Sequence, residues 1–172
     1  MGRSLVIYYS RAGENYVAGD IVSLEVGNTE IAAKAAAEIA GADIFEVRPE
    51  REYSPNYSIC CKEAKGETDE GARPPVAEYP DVEGYDTLIV CYPCWIGTMP
   101  MFMFTLLEGI PTAGKKILPL CTNEGSGMGK SESDIREACP DADVAYGLPV
   151  RGCEARSARP DIERWLRENG VV

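Results

Sequence analysis

Asp86–Pro100 reads DTLIVCYPCWIGTMP, and its character changes half-way along. Leu88–Tyr92 is a continuous apolar run, too short for a helix and rich in β-branched and aromatic residues. A run buried on both faces is what a central parallel strand looks like. Pro93 cannot donate to a sheet ladder and Gly97 permits backbone angles closed to other residues, so the strand is predicted to stop there. A rigid loop follows, with Trp95 at its tip, and Pro100 suits the first turn of a helix over Met101–Glu108. In open α/β sheets, ligands sit beyond the carboxyl ends of the strands, beside the point where strand order reverses. Trp95 is therefore either a cover over a flat ligand or a core residue folded back, and the flanking Pro and Gly favour the protruding loop.

Working outward, the same alternation recurs. Ser4–Tyr9 reads as a buried strand running into Ser10-Arg11-Ala12-Gly13. Glu14–Val26 is an insertion with no clear period. After Gly27-Asn28-Thr29, the residues Ile31, Ala32, Ala35, Ala36 and Ile39 recur at helical spacing until Gly41 closes the helix. A strand, a turn and a helix near the start of such a domain form a place to hold phosphate, because the helix N-terminus offers N–H groups and a positive dipole end. Asn28 or Thr29 could equally cap the helix. The chain has no GxGxxG and no GxxxxGK[ST], so neither a dinucleotide fingerprint nor a P-loop is supported.

Ile44–Val47 is a short second strand. Ser54-Pro55 reads as cap and first turn of a helix over Asn56–Lys65, and Gly66–Gly84 as a polar surface connection. Lys116–Cys121 is a fourth strand emptying into the glycine-dense Thr122–Gly129. Ser131-x-x-Asp134 has the spacing of a capping box for a short helix stopped by Pro140. Val144–Val150 is a fifth strand, at an edge because of Gly147 and Pro149. After Pro160, Ile162, Trp165 and Leu166 share one face of a last helix, with Trp165 in the core. Five strands alternating with helices predict a single doubly wound α/β domain over residues 1–172, with Ser10–Thr29, Pro93–Gly97 and Thr122–Gly127 on one rim.

Composition narrows the function. Lys plus Arg total 17 and Asp plus Glu 28, a formal charge of −11, which disfavours nucleic acid and anionic membranes as partners. No apolar run approaches the roughly 18 residues of a membrane span. The start of the sequence runs almost directly into Leu5–Tyr9, with no room for a secretion signal. Together with seven cysteines, this predicts a reduced, cytoplasmic chain. With no histidine, histidine triads and most zinc sites are excluded. Cys91-Tyr-Pro-Cys94 has dithiol spacing, but Cys91 falls inside a strand. It reads as packed away, with Cys94 incidental.

The segments YSRAG (Tyr9–Gly13), GNT (Gly27–Thr29), YPCWIGTMP (Tyr92–Pro100) and NEGSGMG (Asn123–Gly129), in this order, resemble the flavodoxin-like family. YSPNY at Tyr53–Tyr57 and GYD before the third strand match as well, so the resemblance covers nearly the whole chain. It implies a three-layer fold, a five-stranded parallel sheet of order 2-1-3-4-5, and FMN at the switch point. Ser10, Asn28 and Thr29 would hold the FMN phosphate, with Arg11 and Ala12 beside them. Pro93, Cys94, Trp95, Ile96 and Gly97 would flank the flavin ring on one side. Thr122, Asn123, Glu124, Gly125, Ser126 and Gly127 would flank it on the other. The expected role is electron transfer through FMN to or from a redox partner protein. The alternative is an FMN-dependent NAD(P)H oxidoreductase acting on quinones or similar small acceptors. Asn123–Met128 lacks the aromatic of a two-sided ring sandwich, so one ring face is expected to be open or covered by Tyr16 of the insertion.

Overall fold

The computed structural model describes residues 2–172. Its frame is a parallel sheet built from β1 (Ser4–Tyr8), β4 (Asp43–Glu46), β5 (Thr87–Pro93), β6 (Lys116–Asn123), β7 (Asp143–Val144) and β8 (Leu148–Arg151). The order is β4-β1-β5-β6-β7, and β8 also pairs with β6. Counted along the chain within this sheet, that is the expected 2-1-3-4-5, with the fifth strand in two pieces. Val6, Ile7, Leu88–Tyr92, Ile117, Leu118, Leu120 and Cys121 are fully buried, as unbroken apolar strands covered on both faces must be.

Helices α1 (Asn28–Ala40) and α5 (Arg159–Glu168) cover one face of the sheet. The buried side of α1 is Thr29 plus alanines 32, 33, 36 and 37, and α5 adds Ile162, Trp165 and Leu166. Helices α3 (Met101–Gly109) and α4 (Ser131–Ala138) cover the other face, flanked by α2 (Tyr57–Glu70). Helix α3 buries Met101–Phe104, Leu106 and Leu107, and a fully buried side chain of that size is worth about 1.5–3 kcal/mol. Among the described residues, no helix is long and apolar enough to cross a membrane.

Several boundaries differ from expectation, each for a local reason. The insertion is a β-hairpin, β2 (Gly13–Val17) against β3 (Asp20–Leu24), forming a separate two-stranded sheet. Its two-residue turn has φ of 50° at Ala18 and 95° at Gly19, the sign pattern that matches strand twist in hairpins. Helix α2 is capped by Asn56, whose Oδ1 accepts from the Ile59 N–H, not by Ser54. It runs to Glu70, so Gly66–Glu70 is helix and not connection. Strand β5 continues through Pro93 because the Cys94 N–H donates to the Thr122 carbonyl and carries the ladder past the missing donor. Ser131 and Asp134 do not form a capping box. The Ser131 hydroxyl is buried between Tyr92 Oη and the Met128 carbonyl, and Asp134 accepts from Thr98 Oγ1. Between β7 and β8 the ladder breaks, and the Gly147 N–H goes to Glu132 Oε1.

Candidate functional site

A cavity of about 320 Å³ opens at the carboxyl ends of β1, β5 and β6. Each wall comes from an element whose geometry is fixed from behind.

The first wall is the start of α1. Gly27 is its N-cap, with φ −65° and ψ 150°, and no side chain of its own caps the helix. A Cβ on Gly27 would collide with Ser10 Oγ and lie 2.6 Å from the Arg11 carbonyl oxygen. The absence of that carbon lets the end of β1 press on the helix start. Ser10 Oγ accepts the Glu30 N–H at 3.0 Å, leaving the N–H groups of Asn28 and Thr29 for other acceptors. Asn28 and Thr29 both line the cavity. Thr29 Oγ1 and Thr122 Oγ1 lie 2.6 Å apart, so one hydroxyl donates to the other and one proton stays available. Arg11 also lines the cavity, but its guanidinium donates to the carbonyls of Glu14, Ser54 and Pro55. Among the described residues it pairs with no carboxylate, so its charge is uncompensated locally.

The second wall is the turn after β5. Trp95 and Thr98 exchange backbone hydrogen bonds at 2.7 and 3.2 Å around Ile96 (φ 52°) and Gly97 (φ 78°). The tip is therefore Ile96, 42% exposed, and not Trp95. Trp95 is half-buried, edge-on to Tyr9 at 5.5 Å and to Tyr53 at 5.0 Å between ring centroids, while also lining the cavity. It belongs to the core on one side and to the cavity on the other. The turn is clamped from below, where the Lys130 N–H donates to the Gly97 carbonyl at 2.8 Å. A side chain on Gly129 would strike that same carbonyl.

The third wall follows β6. Asn123 Oδ1 accepts the Gly125 N–H, and its Nδ2 reaches the Val150 carbonyl. Glu124 takes the Ala18 N–H of the hairpin turn and the Cys153 N–H at the C-terminal 3-10 turn (Gly152–Ser157). One carboxylate thus ties three chain segments around the mouth. Gly152 makes this possible, since a Cβ there would fall 2.5 Å from Glu124 Oε1 and 2.6 Å from Asn28 Nδ2.

Of the residues singled out from sequence, Arg11, Asn28, Thr29, Pro93, Cys94, Trp95, Ile96, Thr122, Asn123, Glu124 and Ser126 line this one cavity. Ser10, Ala12, Gly97, Gly125 and Gly127 do not. Ser10 stands behind the wall on the Glu30 N–H, and the glycines shape turns. The cavity also takes in Asn15 and Tyr16 of the hairpin, Tyr57, Cys60, Cys61 and Ala64 of α2, and Gly152. Burial and contact with Cys61 push the Tyr57 phenol up to about 12, and burial pushes the Cys60 thiol up to about 11. Cys94 is different. The neighbouring Cys121, Ser126 and Gly97 N–H favour its thiolate, outweigh its burial and bring it down to about 6.

The flavodoxin family profile matches residues 20–169. The chain belongs to the flavodoxin family. No curated protein matches it. Among solved structures, the chain is similar to a Bacteroides eggerthii protein provisionally described as a flavoprotein. The identity is 22%, both chains are covered over 100% of their length, and the TM-score is 0.80. A Bacteroides uniformis protein of the same description follows at 22% identity, covering 96% of this chain and 98% of its own, with a TM-score of 0.75. A Lactobacillus acidophilus flavoprotein solved in complex with FMN shares 18% identity over 91% of this chain and 98% of its own, with a TM-score of 0.63. At these identities the likeness is one of fold.

Proposed function

We propose that this protein binds FMN in the cavity and passes electrons through it to or from a redox partner protein in the cytoplasm. The observation that carries the reading is one cavity joining two chemistries. Its α1 wall combines first-turn N–H groups, the helix dipole, the Asn28 amide and the threonine hydroxyls, a donor set suited to a dianion. Its remaining walls hold Trp95, Tyr16 and Tyr57, apolar surfaces suited to a flat ring. The donors are neutral, which lets a chain of net charge −11 take a phosphate without a lysine cluster.

Bound FMN would supply reversible one- and two-electron chemistry at its ring. The chain's own part is binding and orientation. Asn28 and Thr29 anchor the phosphate, with Arg11 adding field from behind its carbonyl partners. Trp95, immobilised by Tyr9 and Tyr53, gives the ring a fixed wall. The acidic surface steers a basic partner towards the site, an effect that fades as salt shortens the Debye length. Seven unpaired thiols suit a reducing compartment.

Reconstituting the apoprotein with FMN, riboflavin and FAD tests this. FMN is retained and riboflavin binds more weakly. Thr29→Ala weakens FMN about tenfold to a hundredfold, the worth of one charge-assisted hydrogen bond, and leaves riboflavin nearly unchanged. Equal losses for both ligands would return Thr29 to a structural role, and retention of FAD alone would overturn the cofactor. Rapid turnover of NAD(P)H and a quinone by the holoprotein alone would replace the carrier by an oxidoreductase.

A further inference from the structure

The Cys91–Cys94 spacing is not a dithiol. Cys91 is wholly buried in the layer under α1 and α5, whereas Cys94 packs against the opposite layer. The thiol that meets Cys94 is Cys121, 27 residues further on and in the same layer. Strand register sets them on neighbouring strands, on the same face and diagonal to each other. Tyr92 pairs with Cys121 and Pro93 with Thr122, and the Cys94 N–H then donates to the Thr122 carbonyl at 2.8 Å.

The two sulfurs are unequal. Cys94 lines the cavity, where the neighbouring Cys121, Ser126 and Gly97 N–H favour its thiolate against the opposing effect of burial. Cys121 is fully buried behind it and is held protonated by the neighbouring Cys94 sulfur and by burial. A nucleophilic thiolate facing a ligand cavity, backed by a protonated thiol, is the arrangement of an attacking and a resolving cysteine.

We propose that Cys94 and Cys121 form a dithiol–disulfide couple that exchanges an electron pair with the flavin held in the cavity. This rests on the FMN reading. In the oxidising direction, the Cys94 sulfur and the Cys121 sulfur become joined, the Cys121 S–H bond breaks, and that proton and two electrons pass to the oxidised flavin. In the reverse direction, reduced flavin returns the pair and the proton, and the S–S bond is split into thiolate and thiol. The couple gives the protein room for two electrons beyond those on the cofactor.

The test begins without FMN. Apoprotein is oxidised with diamide, its remaining thiols are blocked, and its peptides are mapped by mass spectrometry without reductant. The expected bridge is Cys94–Cys121, with the other five of the seven cysteines blocked as free thiols. No bridge, or one from Cys94 to Cys60 or Cys61, overturns the inference. The bridged protein is then loaded with FMN, photoreduced without oxygen and left in the dark. Flavin absorbance recovers as two thiols appear per flavin, and it does not recover in Cys121→Ser or Cys121→Ala. Retained FMN that stays reduced beside an intact bridge overturns the electron exchange alone. A bridged protein that fails to retain FMN overturns the cofactor reading as well.

Discussion

Gly27→Ala isolates the contact on which the phosphate wall depends. The backbone at Gly27 (φ −65°, ψ 150°) is open to alanine, so any effect is steric and not a matter of backbone strain. The added carbon would sit 2.6 Å from the Arg11 carbonyl oxygen and 2.9 Å from its carbon, and would collide with Ser10 Oγ. Backbone cannot swing aside as a side chain can, so the end of β1 must retreat. Overpacking of this kind costs about 1–3 kcal/mol. Loss of the Ser10–Glu30 hydrogen bond adds about 0.5–1.5 kcal/mol. Restricting the unfolded chain returns about 0.4–1 kcal/mol. The net destabilisation is about 0.5–4 kcal/mol, centred near 2, which in a chain of this size lowers Tm by about 1–16 °C. Thermal unfolding of the apoprotein measures it. Titration with FMN and with riboflavin then measures the site, where FMN loses at least tenfold more affinity than riboflavin. An unchanged Tm with unchanged FMN affinity would refute the close approach of Ser10 and Arg11 to α1.

Three further outcomes follow from other positions. Gly66 lies inside α2 with open space around the site of a Cβ, so Gly66→Ala raises stability by about 0.5–1 kcal/mol in urea unfolding. Thr105 Oγ1 is buried without a hydrogen-bond partner among the described residues, so Thr105→Val is expected to stabilise by about 1 kcal/mol, and a loss of stability would mean the hydroxyl has a partner. Cys94 in the native apoprotein is expected to react with iodoacetamide with a midpoint near pH 6, against about 9 in urea. Because the folded value is the lower one, the stability linked to this thiol is full above the unfolded value and is lost as pH falls through the folded one.

The central strands were legible because burial on both faces leaves an unbroken apolar run, as in Leu88–Tyr92. The helix stops at Gly41 and Gly71 both use left-handed glycine caps, but only the first was read from the sequence. Gly66 obscured the second by interrupting a helix that tolerates it. The hairpin left a faint trace, Ala18-Gly19 between alternating side chains, and its pattern is blurred because Ile21 and Tyr16 are half exposed. In Ser54-Pro55-Asn56 two cap-type residues compete, and only the position of Ile59 decides between them. For the site, the three rim loops were readable from their turn residues. Cys60, Cys61, Ala64 and Gly152 were not, because α2 and the C-terminal turn reach the cavity through packing that no local spacing encodes. The Cys94–Cys121 proximity is hidden for the same reason, since it depends on strand register across a crossover.

The hairpin also has a place in the order of folding. Two strands that pair with each other alone are marginal in water. Here β2–β3 is held by the Tyr57 N–H on Glu14 at its base and by the Ala18 N–H on Glu124 at its tip. The second of these joins residues 106 apart, so it can form only after β6 has entered the sheet. Amide exchange at Ala18 therefore reports on completion of the native state. It is expected to open at a free energy well below that of the β5 and β6 amides, and to slow when a ligand fills the cavity that Glu124 and Tyr16 share.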